Sequence, residues 1–338
     1  MPSNDIRPVT ILTGFLGAGK TTFLNALLRA NPQKRYAIIE NEIGQTNIDG
    51  MLVVDKGNQF VELQDGCLCC TLNDDLYRSL EALYHQKDNF DELLIECTGL
   101  ALPEAIIEPF TVHPVFKKYF PLLRTVCMVD AELIEDQLAE RTEPLKQLMA
   151  ADALILNKTD LVRAGYVNDL QEYLASLNPF AKVFRSLEPA AFPLDEVDQV
   201  RYTPHSTFFS LAREKESTDT FIPRSKESRQ THHQDIAVRA YMIDAEFNLG
   251  QLYIGLSILI GKYRDRIYRM KGVVFKKDED KKVIIQSVGA RLYMDYGGHW
   301  ENDHTKQNQF VFIGKELDGL HIERYLHEWI AIPDLGAN

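Results

Sequence analysis

Gly14-Phe15-Leu16-Gly17-Ala18-Gly19-Lys20-Thr21 satisfies the pattern G-x-x-x-x-G-K-[ST] and lies between an apolar run at 9–12 and a helical stretch at 21–29. Glycines at these spacings let the backbone curl so that successive N–H groups face phosphate oxygens, and the following helix adds its positive N-terminus. In such a loop Lys20 reaches the β- and γ-phosphates, Thr21 ligates magnesium and Thr22 completes a hydroxyl pair. A chance glycine-rich turn would not bring strand, lysine and both threonines together.

Outward from this loop, residues 8–184 alternate short apolar runs with longer amphipathic stretches, the rhythm of a parallel sheet with helices between its strands. Strands are expected at 9–12, 36–39, 60–63, 92–95, 125–129, 153–156 and 182–184. Helices are expected at 21–29, 73–84, 103–110, 131–135, 144–149 and 166–177. The fold class is therefore α/β: a P-loop NTPase domain with a mainly parallel sheet. The stretch 212–235 is polar and charged, with only Phe221 and Ile222 as large apolar residues, so it reads as a linker or surface excursion. Patterning resumes with a strand at 236–243, a helix at 249–263, strands at 268–275, 283–292 and 309–313, and a helix at 319–329. That order suits a small α+β domain with an antiparallel sheet. The expected organisation is a nucleotide-binding domain over 1–210, a linker over 211–235 and a C-terminal domain over 236–338.

Composition narrows the function. With 338 residues, 45% of them hydrophobic, the chain is long enough for about two domains with full cores. Its net charge of −12 disfavours a nucleic-acid-coating role, which needs a basic surface. No apolar run approaches the ~20 residues of a spanning helix, and the first residues do not read as an export signal. Five cysteines, three of them within Cys67-Leu68-Cys69-Cys70, do not form a disulfide framework, so a reducing cytoplasm is the expected compartment.

The base is read by Asn157-Lys158-Thr159-Asp160, at the carboxyl end of an expected strand, where ligands bind in doubly wound sheets. A carboxylate there accepts both N1–H and the exocyclic amine of guanine, a pattern adenine lacks, so GTP is favoured over ATP. Glu96 ends the strand at 92–95 and leads into Cys97-Thr98-Gly99. It is placed to hold a magnesium-bound water or to orient the attacking water, while Gly99 lets backbone approach the γ-phosphate. Asp49, between Gly44 and Gly50, is either a switch-loop magnesium partner or a plain polar loop residue. Cys67, Cys69 and Cys70 offer three soft ligands ahead of a helix N-terminus, which lowers thiol pKa and favours metal capture. Zinc is the default ion, with copper(I) and cobalt as alternatives; a reduced structural cluster or a redox switch is the rival reading. Glu40 and Glu42 could add hard ligands or sense the nucleotide, and His113 could add another, although a lone loop histidine is commonly a surface residue. Cys97 and Cys127 lie in strand-like runs and read as small core residues.

With GFLGAGKTT, IIENEIG, GCLCC, ECTGLALP and NKTD in this order, followed by YRMKGVVF, VIIQSVGARLY, GGHW and FVFIGKEL, the sequence resembles the CobW family of P-loop GTPases across most of its length. The resemblance implies metal-dependent GTP hydrolysis and a metallochaperone or metal-insertase role. It implies Cys67, Cys69 and Cys70 as metal ligands with Glu40 as an additional one, GTP/GDP, magnesium and zinc as cofactors, and a client apo-metalloprotein as partner, with self-association an open alternative. Gln45 departs from the acidic residue often found at that point, which weakens the case for an auxiliary carboxylate metal site. Two readings outside this one are a P-loop kinase with structural cysteines and a metal sensor that delivers nothing. No arginine finger stands in the motifs, so slow intrinsic turnover is expected.

Overall fold

The computed structural model describes residues 5–41, 51–55, 59–62, 72–186, 191–202, 236–276, 279–300 and 306–330. These fall into two compact units, within 5–202 and 236–330. The linker expected at 211–235, the loop around Asp49 and the Cys67–Cys70 segment lie outside the described residues.

In the first unit, the strands are β1 (Val9–Gly14), β2 (Tyr36–Asn41), β3 (Met51–Asp55), β4 (Gln59–Glu62), β5 (Glu92–Cys97), β6 (Leu122–Asp130), β7 (Ala153–Asn157) and β8 (Lys182–Arg185). They form one sheet in the order β4-β3-β2-β5-β1-β6-β7-β8. The six strands from β2 to β8 in that order run parallel, and β3 and β4 add an antiparallel pair at the β2 edge. Strands β1 and β7 are buried along their whole length, as expected where both faces of a parallel sheet are covered. Leu12, Leu94, Val126, Met128 and Ile155 from one face pack with Phe23 and Leu24 of helix α1 (Lys20–Ala30). Each such side chain contributes ~1.5–3 kcal/mol by leaving water.

The remaining helices of this unit are α2 (Leu72–His85), α3 (Pro103–Val112), α4 (Pro114–Tyr119), α5 (Ile134–Glu140), α6 (Glu143–Ala150), α7 (Ala164–Leu177) and α8 (Leu194–Asp198). The helix expected at 131–135 starts later, at Ile134. The cause is Asp130, whose Oδ1 accepts from the backbone N–H groups of Glu132 and Leu133 at 3.0 and 3.3 Å and holds them in a turn. Strand β3 and helices α4 and α8 are additions to the sequence-based expectation.

A buried charged network ties the amino ends of the central strands together. Thr10 Oγ1 donates to Glu92 Oε1 at 2.7 Å and accepts from Arg124 Nε at 3.3 Å, while Lys34 pairs with Glu92 from the other side. Arg124 also donates to the carbonyls of Val197 and Val200 at 2.9 and 3.3 Å and to Asp198 Oδ1 at 2.5 Å. One guanidinium therefore fastens the segment after β8 to the sheet.

The second unit contains β9 (Ile236–Ile243), α9 (Leu249–Lys262), β10 (Ile267–Val274), β11 (Lys281–Val288), β12 (Arg291–His299), β13 (Asn308–Lys315) and α10 (Ile322–Glu328). Its antiparallel sheet has the order β12-β11-β10-β13-β9. Asn248 caps α9 by accepting from Gln251 N–H at 3.1 Å, and Leu252, Leu256, Leu259 and Ile260 pack on Met270, Val274, Phe310 and Phe312 of one sheet face. The strand expected at 283–292 is two strands of a hairpin, because the chain turns at Gly289. The helix expected at 319–329 is split: a 3-10 turn over Leu317–Leu320 ends at His321, whose φ of 50° cannot continue a right-handed helix.

Candidate functional site

The site lies at the carboxyl ends of β1, β5, β6 and β7, where ligands gather in an open α/β sheet. β1 delivers the phosphate loop, in which Gly14, Gly17 and Gly19 have φ of 132°, 76° and 99°. Gly19 is the N-cap of α1, and a Cβ on it would stand 2.3 Å from Asn157 Nδ2, so both its conformation and its surroundings demand glycine. Lys20 is buried and donates from Nζ to the carbonyls of Gly14 at 2.9 Å and Phe15 at 3.2 Å, which folds its ammonium over the loop. Burial draws that ammonium below the usual lysine range, and the Glu96 carboxylate opposes the shift. A bound polyphosphate would oppose it in the same sense.

Thr21 Oγ1 donates to Glu96 Oε1 at 2.8 Å, bringing a hydroxyl of α1 and a carboxylate of β5 together at the mouth of the loop. Both are hard oxygen donors, the chemistry magnesium selects. Thr22 is exposed at the start of α1. Gly99 follows β5, and a Cβ there would come within 2.5 Å of the Leu16 backbone N, so the loop after Glu96 rests directly on the phosphate loop. Thr98, one residue earlier, has a buried hydroxyl with no hydrogen-bond partner among the described residues. The base motif joins the same assembly: Asn157 Nδ2 donates to the Ala18 carbonyl at 2.9 Å. Lys158 adopts φ 57° and places Nζ 2.6 Å from the buried Asp130 Oδ2, and Asp160 is exposed in the single turn Thr159–Leu161.

Of the residues singled out from sequence, Gly14 to Thr21, Glu96, Gly99 and Asn157 thus come together, with Lys158 and Asp160 next to Asn157. Asp49, Glu42, Cys67, Cys69 and Cys70 lie outside the described residues. Glu40 stands opposite Glu96 in the β2–β5 register. His113 Nδ1 accepts from Phe116 N–H at 3.4 Å and its ring stacks on Phe116, so it caps α4. Two contributors went unnoticed in the sequence. Asp130 stands at the carboxyl end of β6 as Glu96 stands near that of β5, a signal that was there to read; Gln147 on α6 had none.

Cys97 and Cys127 are core residues, as expected, and burial pushes both thiols up to about 12. Alkylation of the folded protein at about pH 8 is therefore expected to leave both unmodified, and unfolding to expose both. Peptide mass spectrometry checks this; modification of either in the folded chain would contradict its burial.

This geometry is that of a P-loop nucleotide-binding protein with a guanine-type base motif. The chain belongs to the CobW family: residues 8–185 match the CobW/HypB/UreG nucleotide-binding domain and residues 239–330 match the cobalamin synthesis protein cobW C-terminal domain. The zinc chaperone YjiA of Escherichia coli strain K12 is 31% identical over 313 residues, covering 91% of this chain and 94% of its own. The zinc-regulated GTPase metalloprotein activator 1 of Schizosaccharomyces pombe is 34% identical over 203 residues, 58% of this chain and 49% of that protein. The crystal structure of the Zn(II)-bound YjiA GTPase from E. coli superposes with a TM-score of 0.63 at 26% identity, covering 96% of this chain and 99% of that one. Among the described residues no helix is long and apolar enough to cross a membrane.

Proposed function

We propose that this protein is a cytoplasmic, metal-responsive GTPase that hydrolyses GTP to GDP and phosphate and passes zinc to a client apo-metalloprotein. The observation that carries the nucleotide part is the hydrogen bond from Asn157 to Ala18, which makes the base motif and the phosphate loop one recess. In this recess the backbone N–H groups of the loop and Lys20 hold the phosphates. Asp160 accepts from the guanine edge, and Lys158, fixed by Asp130, lies alongside. Thr21 would ligate magnesium, which when bound neutralises charge on the phosphates. Glu96 orients the attacking water, and Gly99 brings its amide to the γ-phosphate.

The metal part rests on Cys67, Cys69 and Cys70, with Glu40 as a further ligand, and on the zinc named in the relatives' descriptions. The cysteines fall in sequence between the Glu40 to Asp49 loop and Glu96, so loss of the γ-phosphate would act on them through those flanking segments. The domain limits at 210 and 236 belong to this reading, with the C-terminal unit as the client or self-association platform.

Zinc titration of the reduced protein, with GDP and then with a non-hydrolysable GTP analogue, tests it. Coupling of the usual size makes the two zinc affinities differ about tenfold, and a Cys67, Cys69, Cys70 triple serine variant should lose the tight site. Equal affinity in both states, or tight binding that survives the serines, would overturn metal delivery under nucleotide control.

A further inference from the structure

We infer that Gln147 is a positioning residue for GTP hydrolysis, holding the Gly99 loop against the phosphate loop from behind; the inference rests on the reading that Gly99 meets the γ-phosphate. Gln147 lies on α6 and is fully buried. Its Nε2 donates to two carbonyls of one loop, Gly99 at 3.0 Å and Ala101 at 3.1 Å. The same loop closes on itself through Ala101 N–H to Thr98 O at 3.1 Å and leans on Leu16 in front. The segment after Glu96 is therefore clamped between the phosphate loop and one side-chain amide.

The amide orientation is fixed by chemistry, since a flipped group would set its oxygen against two carbonyl oxygens. In the orientation adopted, Oε1 is buried and has no hydrogen-bond partner among the described residues. A buried acceptor left unpaired is costly, so stability alone explains the side chain poorly. Its position explains more. After α6 the chain passes through Asp152 directly into β7 and the base motif at Asn157. Gly99 is therefore held where the γ-phosphate arrives, and contact with that phosphate is passed to α6 through the retained Gln147 bonds. GDP, lacking that phosphate, makes no such contact.

Gln147→Met keeps the volume and removes the donor. The test compares it with wild type for GDP affinity, affinity for a non-hydrolysable GTP analogue, kcat and melting temperature, with Glu96→Gln as control. Loss of two buried hydrogen bonds to the loop is expected to weaken the analogue and kcat about tenfold each while GDP affinity stays within about twofold. GDP and analogue weakening equally, or neither changing, would overturn the positioning role, whatever the melting temperature does. A Glu96→Gln variant with full kcat would instead defeat the underlying reading of the loop. Should Gln147→Met fail to fold, hydrogen exchange on wild type decides. Protection gained together at 98–101 and 143–150 on adding the analogue to GDP-free protein supports the clamp, and gain at 98–101 alone overturns it.

Discussion

Asp160→Asn is expected to weaken GTP by about 100-fold or more and to move the preference to xanthosine triphosphate, because one carboxylate accepts two guanine donors and each charge-assisted bond is worth ~1.5–3 kcal/mol. The new amide can still accept from N1–H, but its NH2 meets the guanine exocyclic amine donor to donor. Xanthine carries a carbonyl at that position and restores the pair. Asp160 is exposed in its one-turn helix, so the exchange disturbs little packing. Competition between GTP and xanthosine triphosphate in a hydrolysis assay checks it. A variant that keeps its GTP preference would remove Asp160 from base recognition.

Arg124→Leu is expected to have the largest effect on stability. The substitution removes the guanidinium that joins the Val197 and Val200 carbonyls and Asp198 to the sheet, and leaves the carboxylate of Glu92, which is 1% exposed, with Lys34 and Thr10 alone. Removing one partner of a buried charged network costs ~3–5 kcal/mol, a fall of about 10 °C or more in melting temperature for a unit of this size. Thr10 is four residues before Gly14 on β1, about 13 Å away at the strand rise. The folded fraction should therefore bind GDP as wild type does. Thermal unfolding with and without GDP measures both, and an unchanged melting temperature would show that the network contributes nothing net.

The two lessons differ in kind. The phosphate loop, the acid near the carboxyl end of β5 and the base motif were legible because each is a short pattern whose chemistry is local. The parallel sheet was legible because its apolar runs alternate with helical ones. Strand β3 was missed because Met51–Asp55 directly follows a polar, glycine-flanked stretch that reads as a loop. The β11–β12 hairpin was merged because its apolar alternation runs through Gly289 without a polar cluster to mark the turn. Residues that act through distant partners were out of reach: Arg124 meets Thr10 across 114 positions, and Gln147 meets Gly99 across 48. No period or spacing carries such a pairing.

The bond between Asn157 and Ala18 is made within the protein itself, and Gly19 sits against the same amide. The recess for the base and the cradle for the phosphates therefore do not move independently. Guanosine and pyrophosphate, supplied as separate molecules, each address a half whose shape folding has already set. The advantage of the whole nucleotide over its fragments is then mostly one of tethering: once one end is seated, the other is held at high effective concentration over a ready-made surface.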